Sequence, residues 1–183
     1  PKNIKTLVSG YYKNCTKLQK IIFEGNQIST IPSSFCEGCT NLETIEIPSS
    51  VKEIGQKAFL GCSNLKNFNL SNVHTIHLAA FQGCGFEAID LSGVSFIEPY
   101  VFKENAKLVD VVIGSSITSI PKGLFEKCKS LTSIDIPISP SAAILPAFLA
   151  AVARPFSLKN SIAFSLSPSV SVRAFLQSII PQP

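Results

Sequence analysis

The sequence predicts a solenoid, a rod of stacked coils in which each coil gives one short strand to a curved parallel sheet. Three observations predict it. A phrase of the form Leu-x-x-Ile-x-Ile recurs, an Ile and then a Phe follow each copy, and each copy closes on a small residue. One such unit cannot bury its apolar residues alone. Stacked units place like residues over one another and share a continuous core.

The elements follow in order. Leu18, Leu42, Leu65, Phe86, Leu108 and Leu131 open successive copies. Three residues later stand Ile21, Ile45, Phe68, Ile89, Val111 and Ile134, and two further on Phe23, Ile47, Leu70, Leu91, Ile113 and Ile136. This alternation suits a strand with one face inward, and strands at one place in every unit stack in parallel about 4.8 Å apart. The second half of each unit carries Ile31, Ile54, Ile76, Ile97 and Ile120, then Phe35, Phe59, Phe81, Phe102 and Phe125. Second short strands or short helices are expected there, on the other side of the coil. Cys15, Cys39, Cys62, Cys84, Ala106 and Cys128 close the units, at steps of 24, 23, 22, 22 and 22 residues. Gly38, Ser49, Ser50, Gly61, Gly83, Ser115 and Ser116 sit where the chain must reverse. The expected fold is a right-handed leucine-rich-repeat solenoid of about six or seven coils, roughly 30–35 Å long.

The stretch Ile45–Leu65, IEIPSSVKEIGQKAFLGCSNL, resembles the BspA-like leucine-rich repeat, and the likeness extends over about residues 4–138. The resemblance implies a microbial surface protein, often an adhesin that contacts host or neighbouring-cell proteins. It implies a protein ligand, such as an extracellular-matrix or cell-surface protein, and a cell-surface or secreted location.

Residues 1–138 form the repeat region, which starts mid-repeat: Ile4, Leu7, Tyr12 and Cys15 fit the second half of a unit whose strand is missing. The first coil lacks the polar cap of a solenoid end, which suggests a piece of a longer array. After Ile136 the pattern deteriorates, and no Asp or Glu follows Asp135. Residues 139–183 are open to three readings. Degenerate repeat or irregular packing ranks first, because Ile144–Phe148 mimics Ile31–Phe35 and Phe164-x-Leu166 mimics Phe68-x-Leu70. A segment unrelated to the array ranks second. A membrane segment ranks third: the apolar run Ala142–Ala153 holds a proline and falls short of the roughly 20 residues a spanning helix needs. No membrane anchor is evident.

Hydrophobic content of 45% in 183 residues suits a continuous core. A formal net charge of +4 with 15% charged residues does not point to nucleic acid. Five of the six cysteines occupy the closing slot, which reads as small, buried and apolar because Ala106 also fills it. Stacked neighbours point their side chains in parallel, so packed thiols are expected rather than disulfides. Cys36-x-x-Cys39 is a lone pair without two further ligands, and Cys39 already belongs to the closing column.

His74 and His77 flank Ile76 and read as two exposed side chains, with no acidic residue near them in sequence. The sequons at Asn14 and Asn69 overlap a core cysteine and an expected strand, so neither is read as a glycosylation site. No phosphate loop, nucleophile elbow or paired carboxylate motif occurs. No enzyme, cofactor or metal site is expected.

The informative surface is the outward face of the sheet, since neighbours of inward strand residues point out. One column reads Ile22, Glu46, Asn69, Asp90, Val112, Asp135; the next reads Lys20, Thr44, Asn67, Ala88, Asp110, Ser133. The expected ligand-binding residues are Lys20, Ile22, Glu46, Asn67, Asn69, Asp90, Asp110, Val112 and Asp135. The opposite side carries Lys52, Lys57, Lys66, Lys103, Lys107, Lys122, Lys127 and Lys129, so charge is expected to sort by face.

Overall fold

A computed structural model describes residues 4–25 and 27–135, together with the backbone of 163–166 and 170–171. The first halves of the coils form β1 (Lys20–Ile22), β3 (Thr44–Glu46), β6 (Ala88–Leu91), β8 (Asp110–Ile113) and β9 (Ser133–Asp135). The second halves form β2 (Thr30–Ile31), β4 (Glu53–Ile54), β5 (Thr75–Ile76) and β7 (Phe96–Ile97). Successive strands pair in parallel one lap apart: Ile21 with Ile45, Ile89 with Val111, Val111 with Ile134. On the other side Ile31, Ile54, Ile76 and Ile97 form one row. The architecture is a parallel solenoid of about five turns over the described residues, against the six or seven expected for the whole chain. The far strands are β10 (Ala163–Leu166), parallel to β9 with Phe164 beside Ile134, and β11 (Val170–Ser171), antiparallel to β10. The imitation of Ile31–Phe35 by Ile144–Phe148, and the apolar run Ala142–Ala153, lie outside the described residues.

The core is a set of columns. Leu42, Leu65, Phe86, Leu108 and Leu131 are buried in the opening slot. The Phe59 and Phe81 rings stack at 5.3 Å, Phe81 and Phe102 at 5.8 Å, Phe102 and Phe125 at 5.9 Å. Each such ring pair contributes about 0.5–1.5 kcal/mol beyond the area it buries.

Phe35 does not belong to that column. The Cys36 N–H bonds the Ala58 carbonyl as the Phe59 N–H bonds that of Ala80, so Cys36 is the equivalent of Phe59. Phe35 corresponds instead to Ala58 and Ala80. The second coil therefore carries large-then-small where the third and fourth carry small-then-large, and the combined volume of the two positions is kept. The displaced Phe35 ring packs against Tyr12 at 5.3 Å and Phe23 at 6.2 Å.

The closing slot also differs from expectation. Ala106 is exposed and Asn105 is fully buried. Asn105, three residues after Phe102, is the closer, so the steps around it are 21 and 23 residues. The slot selects a hydrogen-bond donor rather than an apolar side chain. Cys39 Sγ donates to the Tyr12 carbonyl, Cys62 to Cys36, Cys84 to Phe59 and Cys128 to Phe102. Asn105 Nδ2 donates to the Phe81 carbonyl at 2.8 Å, continuing the series. The thiols are free, and all but Cys15 are buried. Burial pushes the Cys62 and Cys128 thiols up to about 12 and raises Cys36 and Cys84 as well.

Two columns of left-handed backbone turn each coil. The residue before the closer is Asn14, Gly38, Gly61, Gly83, Glu104 or Lys127, all at positive φ. Five before the closer stand Gly10, Ser34, Lys57, Ala79, Tyr100 and Gly123, also at positive φ. Most L-residues find this conformation costly, so the demand comes from the coil geometry and not from local preference.

The side expected to be lysine-rich is instead mixed. Lys13 pairs with Glu37 at 3.0 Å, Lys103 with Glu126 at 2.9 Å and Lys127 with Glu104 at 2.8 Å, each bridging adjacent coils. Charge therefore does not sort cleanly by face.

Candidate ligand-binding face

The first-half sheet is not continuous. β1 pairs with β3, and β6 opens a separate sheet with β8, β9, β10 and β11. Between them the third coil passes without forming a strand, and among the described residues Asn67, Phe68 and Asn69 make no backbone–backbone hydrogen bond. The local sequence explains the break. Asn67 and Asn69 disfavour extended ladders. Asn69 Oδ1 accepts from the Ser71 N–H at 3.0 Å, but Asp90 Oδ1 takes the Ser92 N–H at 2.8 Å within a paired strand, so this bond alone does not break the ladder. Phe68 occupies a slot that holds Ile or Val in the other copies, and its ring wedges edge-on between Phe59 at 5.1 Å and Phe81 at 4.9 Å. The expected strand over Asn69 is thus absent, and Asn69 and Ser71 of its sequon are exposed while Leu70 between them is buried.

A cavity of about 490 Å³ straddles this break. Ile45, Phe68 and Ile89 line it from the inward slots, and Thr44 and Ala88 from the outward column. Asn67, Asn69, Asp90, Asp110 and Val112 complete the lining.

All nine residues expected on this face are exposed. The structure brings five of them to one cavity and leaves four beside it. Lys20 and Glu46 pair with each other at 3.2 Å across β1 and β3, and Ile22, 54% exposed, shares their sheet. Asp135 stands on β9. Pairing places Val112, 39% exposed, between Asp90 on β6 and Asp135 on β9 in one row. Asp110 is two residues before it on the same strand. An apolar side chain is thereby ringed by three carboxylates, and among the described residues none of the three has a cationic partner. Thr44, Ile45, Phe68, Ala88 and Ile89 were not among the expected site residues. The signal for them was Asn67-Phe68-Asn69, which puts two poor strand formers around an oversized inward residue.

The histidine pair departs from expectation. His74 is exposed, but His77 is sandwiched between coils: Nε2 meets Glu53 at 2.6 Å and Nδ1 meets Glu98 at 3.2 Å. Acidic partners absent nearby in sequence arrive from the coils on either side. Burial opposes the ring's charge, yet the hydrogen bonds and charges of Glu53 and Glu98 outweigh it and raise the pKa. The two ring nitrogens serve separate carboxylates, so this is an ion-paired staple. Among the described residues no His, Cys, Asp or Glu cluster could hold a metal, and no helix is long and apolar enough to cross a membrane.

Stacked coils, an inward Leu and Ile ladder and a shared aromatic column define a leucine-rich-repeat protein. Six copies of the BspA type leucine rich repeat region match the chain, over residues 1–108 and 29–148. The chain belongs to that family. Among solved structures it is similar to a leucine-rich repeat protein from Bacteroides ovatus, with 32% identity over 71% of this chain and a TM-score of 0.68. It is also similar to a leucine rich cell surface protein from Faecalibacterium prausnitzii, with 28% identity over 70% of the chain and a TM-score of 0.61. The leucine-rich repeat protein of T. pallidum shares the fold, with 24% identity over 90% of this chain and 85% of that one, and a TM-score of 0.67. The chain spans 34% of the length of each of the first two. No curated protein matches it by sequence.

Proposed function

We propose that the chain is a non-catalytic protein-binding repeat module, part of a microbial cell-surface adhesin contacting host or neighbouring-cell proteins. The observation that carries this reading is the outward sheet face, where exposed carboxylates surround Val112 beside an open cavity. Partners recognised across such a face gain affinity from several modest contacts, and negative potential steers a basic partner toward it. The repeat family and the similarity to a leucine rich cell surface protein from Faecalibacterium prausnitzii support the location.

The test replaces Glu46, Asp90, Asp110 and Asp135 together by the corresponding amides. Adhesion of the protein to immobilised extracellular-matrix proteins then falls. Unchanged adhesion contradicts the reading.

Six free thiols favour a second reading, an intracellular scaffold, because unbridged cysteines are typical of reducing compartments. Labelling of intact cells with a membrane-impermeant reagent separates the two: a labelled protein supports the surface, an unlabelled one the scaffold.

A further inference from the structure

We infer that the groove at the sheet break seats an arginine side chain from an extended segment of the partner, an inference that rests on the protein-binding reading above. Three features converge there. The first is the cavity of about 490 Å³, whose apolar residues Ile45, Phe68 and Ile89 would cover the stem of a long side chain. The second is the missing ladder: among the described residues the backbone N–H and carbonyl groups of Asn67, Phe68 and Asn69 have no backbone partner, so this coil offers unpaired acceptors as well as donors beside the groove. The third is Asp90 and Asp110 on the rim, neither paired to a cation among the described residues, whereas the nearby Glu46 is already neutralised by Lys20.

An occupant must therefore bring positive charge, several donors and a flexible apolar stem. Arginine supplies all three. Its planar fork carries five N–H donors, and it sheds water more readily than the lysine ammonium. Carbonyl acceptors beside carboxylates suit that fork better than a point charge. A wholly acidic or wholly apolar segment would leave the carboxylates repelled or desolvated without compensation.

The test titrates fluorescein-labelled nonapeptides against the full chain by fluorescence anisotropy. Each peptide carries three arginines, three lysines or three glutamates in a Gly-Ser background. The arginine peptide is expected to bind more tightly than the lysine peptide, with no binding of the glutamate peptide. Asp90→Asn with Asp110→Asn weakens the arginine peptide roughly 10-fold. Glu24→Gln, outside the groove, leaves it unchanged, and circular dichroism checks that each variant folds. Equal binding of arginine and glutamate peptides, or full binding by the double variant, overturns the inference. If the arginine peptide fails to bind while the fourfold variant still loses adhesion, the groove is wrong and the protein-binding reading stands. If adhesion survives the fourfold change, the reading itself is wrong.

Discussion

The Phe59 and Phe81 rings lie 5.3 Å apart and 5° from parallel, although 22 residues separate them in sequence. This stacking is the repeat made physical: one lap of chain returns the backbone to the same place, one strand spacing along the rod. Both rings are fully buried. Phe81→Ala removes a ring in contact with Phe59, Phe68, Phe86 and Phe102 and should cost about 3–5 kcal/mol. Urea denaturation followed by circular dichroism measures it. A cost below about 1 kcal/mol would contradict the shared column.

Asn105 Oδ1 is buried without a hydrogen-bond partner, while the cysteines in the same slot leave no oxygen stranded. Asn105→Cys keeps a donor for the Phe81 carbonyl and removes that oxygen, giving up the second bond to the Phe102 carbonyl. It should stabilise the protein by about 1 kcal/mol, since a stranded buried acceptor costs about that or more. A shift of the urea midpoint to lower concentration would contradict the donor-slot account.

Most of the coil was legible in the sequence because like residues recur at nearly fixed steps and the side chains that recur are those that touch. Where the structure departs, a different force decided. Size alone makes Ala106 a closer, but the slot selects for donation to a carbonyl one coil below, which Asn105 supplies. Chemical type pairs Phe35 with Phe59, but Cys36 holds the backbone position of Phe59 and the volumes are exchanged between neighbours. The outward columns were readable from strand alternation. The cavity was not, because it arises where Asn67-Phe68-Asn69 fails to complete the ladder, and alternation alone cannot show that. His77 gained its carboxylates from other coils, a contact that sequence proximity hides.

Thiol chemistry follows from burial. At about pH 8 a small disulfide reagent should modify Cys15 quickly and the five buried cysteines only after unfolding. The raised thiol pKa values also set a direction with pH. The folded thiols titrate near 12 at Cys62 and Cys128 against an ordinary value of 9.0. Their protonated burial therefore favours folding below pH 9, and stability falls as pH rises above it and the unfolded chain loses protons first. Rapid reaction of more than one thiol in the native protein would contradict the packing.

His77 gives a second handle of the same sign in a lower pH range. Its folded pKa is raised above the ordinary 6.5. The Glu53–His77–Glu98 pairing therefore contributes fully below that value and is lost as pH rises through the folded pKa. His77→Gln should lower stability more at about pH 6 than at about pH 8.5. An equal loss at both would show that the ring acts by packing alone.

Lys57 holds φ at 56° in a column that glycine also occupies. Lys57→Gly should stabilise by about 0.5–1 kcal/mol, because the relief of the left-handed conformation exceeds glycine's entropy cost. Thermal unfolding reads the sign directly, and a lower midpoint would contradict it.

The central claim is that residues one lap apart are in contact and residues three laps apart are not. A double-mutant cycle in urea, with Phe→Leu at each position, tests it. The Phe59–Phe81 pair should show a coupling of about 0.5–1.5 kcal/mol, and Phe59 with Phe125 should be additive within about 0.5 kcal/mol. Additivity at Phe59–Phe81, or equal coupling in both pairs, would contradict the stacked coils and the binding face built on them.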